Sequence, residues 1–86
     1  MRRMILPIIH LNGTSRESLV DDACTARSAL ESAIEALCQM RPNGRDYYPA
    51  PGTLGPATDE HEQRIQAVRR VSDELTEWAQ KVMDME

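Results

Sequence analysis

Two stretches of this chain carry apolar side chains at alternating steps of three and four residues, and the two are nearly equal in length. Leu19, Ala23, Ala26, Leu30, Ala33, Leu37 and Met40 fall on the first seam, with Val20, Cys24, Ile34 and Cys38 along one flank. Ile65, Val68, Val71, Leu75, Trp78, Val82 and Met85 fall on the second, with Ala67 and Ala79 alongside. That period follows the 3.6-residue turn of an α-helix, whereas a half-buried strand alternates with a period of two. Two rods of roughly 40 Å each at 1.5 Å per residue, joined by a connection that reverses direction, make an antiparallel helical hairpin. The fold class is therefore mainly α, in a single domain spanning 1–86.

Local signals set the expected boundaries. The first helix is predicted over 14–41, because Thr14-Ser15-Arg16-Glu17 has the form of a capping box, with Thr14 accepting from the Glu17 amide. It stops at Arg41-Pro42-Asn43-Gly44, since Pro42 disfavours helical geometry at Arg41 and Asn-Gly readily supplies a positive φ. Residues 42–55 form a loop rich in Pro and Gly that holds both tyrosines. The second helix is predicted over 56–84, with Pro56 in its first turn and Asp59, Glu60 and Glu62 complementing the positive end of its dipole.

A two-helix hairpin has one internal interface, and stripes this broad leave apolar surface over. Sister hairpins are expected to cover it, giving a helical bundle in a dimer or higher homo-oligomer. Residues 4–11 are aliphatic and β-branched, which suggests a short N-terminal strand ending in the turn at Asn12-Gly13. Pro7 confines it to an edge, and no second strand pattern follows. The segment either pairs with its equivalent in another copy or lies as an extended arm along the helices.

Composition narrows the function. The formal charge of −4 includes no basic block, so binding to a long nucleic acid by counterion release is not expected. The N-terminus from Met1 to His10 starts like a signal peptide, but its apolar run is short, interrupted by Pro7 and followed by no small-residue cleavage site. No stretch is long enough to span a bilayer, so cytoplasmic residence is expected. Cys24 and Cys38 stand fourteen positions apart in one helix, about 21 Å along its axis, which excludes a bridge within the chain. They are expected as reduced core residues or, alternatively, as partners in an intermolecular bridge. His10 and His61 lack companions at ligand spacing, so no metal or cofactor is expected, and His61 is taken as a solvated first-turn residue. No phosphate loop, nucleophile elbow or His-Glu-x-x-His occurs, and the chain is not expected to be an enzyme.

Two segments have binding chemistry. In Asn43-Gly44-Arg45-Asp46-Tyr47-Tyr48-Pro49, the Arg45 fork suits a phosphate, Tyr47 or Tyr48 offers a face for a base, and Asn43 or Asp46 can read hydroxyls and base edges. The same residues also serve structural ends: a helix stop, a turn cap, a loop staple and an Arg45–Asp46 pair. In Leu11-Asn12-Gly13-Thr14-Ser15, a helix N-terminus with Asn12 and the Thr14 hydroxyl suits an anion, although capping explains these residues equally. The two segments lie at opposite ends of the first helix, so a site combining them needs an antiparallel neighbour. Arg64, on the second helix, is a further candidate to reach a pocket near the loop.

The strings His10-Leu11-Asn12-Gly13-Thr14-Ser15 and Asn43-Gly44-Arg45-Asp46-Tyr47-Tyr48-Pro49, each followed by a helix, resemble a group of short proteins of bacteriophages and prophages, mostly without assigned function. The resemblance spans nearly the whole chain; Ala50 to Gly55 reads as an insertion against it. By analogy with small oligomeric phage proteins that act against host defences, it implies a non-enzymatic sponge for a cyclic-nucleotide or nucleotide-like immune signal, held between subunits in the host cytoplasm. The alternative is a protein–protein inhibitor or structural adaptor that works through a helix face or the N-terminal strand.

Overall fold

The computed structural model describes residues 4–85. Three helices follow in order: α1 (Arg16–Gln39), the single turn α2 (Gly44–Tyr47) and α3 (Leu54–Met83). Helices α1 and α3 pack along their length as the expected hairpin, giving a rod with principal extents of 62 × 25 × 17 Å.

The start of α1 departs from the prediction by one residue. Ser15, not Thr14, is the N-cap, and its Oγ accepts from the Ser18 amide at 3.2 Å. A hydroxyl caps best when its own backbone is extended just outside the helix, and Ser15 has φ −67° and ψ 155°. The helix ends at Gln39, where the Met40 amide returns to carbonyls of the last turn. Asn43-Gly44 does not form the expected positive-φ turn. Asn43 instead caps α2, and the positive φ falls at Gly52 (83°). Helix α3 begins at Leu54, two residues ahead of the prediction, with Pro56 still inside the first turn, where its missing amide costs nothing.

No residue between Met4 and Leu11 is in a strand, which corrects the strand expectation. A solitary extended segment has no ladder partner within the chain, so the arm alternative holds: Leu6, Pro7 and Ile9 are half-buried while Ile5 and Ile8 face outward. The arm closes in a turn, with the Gly13 amide donating to the His10 carbonyl at 3.1 Å.

The seams keep Ala23, Leu30 and Leu37 on α1 and Ile65, Val68, Leu75 and Val82 on α3, and shift by one position at the residues between them. On α1 the buried and half-buried series runs Val20, Ala23, Arg27, Leu30, Ile34 and Leu37, with Arg16, Leu19 and Cys38 also half-buried, while Ala26, Ala33 and Met40 are exposed. On α3 the inward series is His61, Ile65, Val68, Ser72, Leu75, Ala79 and Val82, with Val71 exposed and Trp78 half-buried. Helix α1 carries two overlapping apolar stripes that share Ala23, Leu30 and Leu37, and packing selects the one with branched Val20 and Ile34 over the one with alanines. The selected stripe also takes in Arg27, whose Nε is enclosed without a hydrogen-bond partner. Ile65 and Val82 are the largest fully buried side chains.

Polar ties then fix the register. His61 is not solvated but 2% exposed, with Nε2 at 2.6 Å from the Leu37 carbonyl oxygen. The buried Ser72 hydroxyl donates to Glu31 Oε1 at 3.3 Å, and Arg41 pairs with Glu62 at 3.6 Å. Cys24 is exposed rather than in the core and Cys38 is half-buried; both are free thiols.

Candidate functional site

The loop between the long helices is more ordered than its Pro and Gly content suggests. Asn43 Oδ1 accepts from the Asp46 amide at 3.3 Å, while Asn43 Nδ2 donates to Asp46 Oδ2 at 2.9 Å. This reciprocal clamp winds 44–47 into a helical turn, and Tyr48 continues it through its amide to Gly44 at 3.0 Å. Asn43 and Asp46 therefore spend their hydrogen-bonding groups partly on each other. Arg45 and Tyr48 do not: both are exposed, Tyr48 at 78%, and among the described residues Arg45 makes no ion pair. Tyr47 is half-buried.

The structure thus gathers Asn43, Arg45, Asp46, Tyr47 and Tyr48 on one turn. Arg64 is placed differently. It lies ten positions along α3 from Leu54, about 15 Å at 1.5 Å per residue, and its guanidinium is held by Glu60 Oε1 at 2.5 Å and His61 Nδ1 at 3.2 Å. Because arginine only donates and the Leu37 carbonyl only accepts, His61 is held as the Nε2–H tautomer, with Nδ1 accepting from Arg64. Arg64 serves the hairpin register. Asn12 and Thr14 are exposed at the other end of α1, separated from the turn by the 24 residues of that helix, about 36 Å.

A second feature was not anticipated from the sequence. Leu19 and Ala26 of α1 and Leu75 and Trp78 of α3 line a groove of about 490 Å³, together with Met4 and Ile5 of the arm and the acidic Asp22 and Glu74. Ala26 and Trp78 belong to the stripes that were assigned to the internal interface. Because Arg27 and Ala79 take the inward places beside them, Ala26 is exposed and Trp78 half-buried along the groove instead. None of the residues proposed for ligand binding lines this groove.

Among the described residues no three His, Cys, Asp or Glu side chains gather as a metal would require, and no helix is long and apolar enough to cross a membrane. Comparison with known proteins gives no match to a family model, a curated protein or a solved structure.

Proposed function

We propose that this protein is a non-enzymatic binder that captures a small anionic, nucleotide-like signal at a site shared between copies of the chain. In its specific form, suggested by the phage motifs, it sequesters a cyclic nucleotide of host immune signalling. Arg45 contacts phosphate, Tyr48 or Tyr47 stacks on a base, and Asn43 and Asp46 hold the turn while presenting their remaining lone pairs and protons. An antiparallel neighbour would add Asn12 and Thr14 from its own helix start.

The observation that carries this reading is the state of Arg45 and Tyr48. A guanidinium with no carboxylate partner among the described residues, in a chain of net charge −4, shares a turn with an exposed aromatic ring, and the backbone of that turn is already clamped. Preorganisation of this kind lowers the ordering cost of binding, and the pair supplies the two contacts that a nucleotide needs most.

Thermal shift against cyclic di- and trinucleotides and cyclic ADP-ribose isomers tests it. A ligand at 100 times its Kd stabilises by about 2.7 kcal/mol, and no shift with any member of the panel removes the reading. The apolar groove beside Trp78 favours a second reading, an inhibitor or adaptor that engages another protein. Arg45→Ala separates the two, because it abolishes nucleotide capture and leaves an interaction at the far end of the rod intact.

A further inference from the structure

The chain exposes 6743 Å². A self-sufficient folded monomer of 9.7 kDa is expected to expose about 5,100 Å², so the excess is roughly 1,600 Å². That is twice the ~800 Å² which one partner contributes to an interface of standard size. The radius of gyration tells the same story: 18.5 Å, against about 12 Å for a compact chain of this length.

Uncovered apolar side chains occur at both ends of the rod, with Met40, Tyr48 and Leu54 at the connection, and the most exposed of them are in the arm. Beside the Trp78 groove runs the arm, where Ile5, Ile8 and Leu11 are 93%, 80% and 99% exposed at a constant spacing of three. Ile5 borders the groove without filling it. We infer that the groove is closed by a second copy of this chain, whose arm brings its outward Ile5, Ile8 and Leu11 against Leu19, Ala26, Leu75 and Trp78.

Charge selects a sister chain over an unrelated partner. The first sixteen residues hold three arginines and no carboxylate, while the remaining seventy hold fourteen carboxylates against seven arginines and lysines. The Asp22 carboxylate lines the groove, so the segment best matched to it is an apolar arm flanked by cations. The chain itself carries that segment. Because every copy has both an arm and a groove, one two-fold operation covers both grooves at once, as an isologous interface requires.

This inference rests on the reading that copies of the chain associate, but it concerns a second contact: a neighbour whose Leu11 sits in the groove holds its Asn12 and Thr14 there too, so the shared site at Arg45, at the other end of α1, is completed by a different copy. Sedimentation equilibrium, together with the emission of Trp78, the single tryptophan, tests it. Wild type is expected at an integral multiple of 9.7 kDa. Ala26→Glu and Leu11→Asp are each expected at the single-chain mass, with helical circular dichroism retained and Trp78 emission moved to the red. Both positions are exposed within one chain, and Leu11 at 99% has almost no packing to lose, so it decides the matter should Ala26→Glu fail to fold. Ser28→Glu, about 200° around α1 from Ala26, is expected to assemble as wild type. A wild-type protein that sediments as one 9.7 kDa chain overturns both this inference and the shared-site reading. A wild-type oligomer that Ala26→Glu and Leu11→Asp leave intact overturns the assignment of this face alone.

Discussion

The Nε2 of His61 lies 2.6 Å from the backbone oxygen of Leu37, so an imidazole near the start of α3 holds the last turn of α1. The Leu37 carbonyl already accepts from the Met40 amide at 3.1 Å, and the ring N–H delivered from the facing helix takes its second lone pair. Arg64, bonded to the other ring nitrogen, fixes the orientation. His61→Ala is expected to cost about 1–3 kcal/mol in urea unfolding at matched protein concentration, through the lost bond and the space left in the seam. His61→Phe keeps most of the volume and should recover part of that loss. Equal stability of His61→Ala and wild type would show that the contact does not contribute.

The shifted seam makes a paired prediction. Ile65 is fully buried and Val71 is exposed, although both stand on the apolar series read from the sequence. Ile65→Ala should destabilise by about 2–5 kcal/mol, whereas Val71→Ala should cost under about 1 kcal/mol. Comparable losses at both positions would mean that Val71 faces the partner helix and that the inward series passes through it in place of Ser72.

The hairpin was legible because period and length survive any rotation of the helices about their axes. The choice between two overlapping stripes was not. Ala26 and Ile34 are both apolar and both lie next to the shared line through Ala23, Leu30 and Leu37, and periodicity alone gives them equal standing. What separates them is the facing surface of α3, which includes His61 and Ser72. Polar residues do not announce themselves as core; each is buried because a specific acceptor, Leu37 O or Glu31, lies opposite. The Asn43 turn illustrates the reverse difficulty. Its residue types were correctly read as a turn, but Asn43-Gly44 suits both a helix cap and a positive-φ reversal, and only the Asp46 amide placed within reach of Asn43 decides for the cap.

Two glycines of the connection should respond to alanine with opposite signs. Gly52 has φ +83°, a left-handed conformation in which a Cβ crowds the following carbonyl, and nothing around it offsets the strain. Gly52→Ala is expected to lose about 1–2 kcal/mol. Gly55 is inside the first turn of α3 with open space where a Cβ would stand, so Gly55→Ala should gain about 0.5–1 kcal/mol by narrowing the unfolded ensemble and favouring the helix. Chemical denaturation of the two single variants checks this; a loss at Gly55 as large as that at Gly52 would mean that the connection is packed more tightly than open space allows.

The clamp across the turn is separable from the groups it presents. Asn43→Ala removes both the cap to the Asp46 amide and the side-chain bond to Asp46, and should cost about 1 kcal/mol. Its local signature is faster hydrogen exchange at the Asp46 and Tyr48 amides, with α1 and α3 unaffected. Unchanged protection at those two amides would show that Pro42 and the flanking helices hold the turn without Asn43.

Arg45 and Arg64 were both candidates for a ligand, and the structure gives them unlike surroundings. Arg64 is already held by Glu60 and His61, so Arg64→Ala should lower unliganded stability by roughly 0.2–1 kcal/mol, the usual size for exposed pairs. Arg45 makes no ion pair among the described residues, and Arg45→Ala should leave the unliganded melt within about 0.5 kcal/mol of wild type. With a nucleotide that shifts the wild-type melt, Arg45→Ala should lose the shift. Arg45→Lys should restore only part of it, because a point charge attracts phosphate without the two-pronged geometry of guanidinium. Full restoration by lysine would reduce the role of Arg45 to bulk charge, and a ligand shift that survives Arg45→Ala would move the binding site away from the turn.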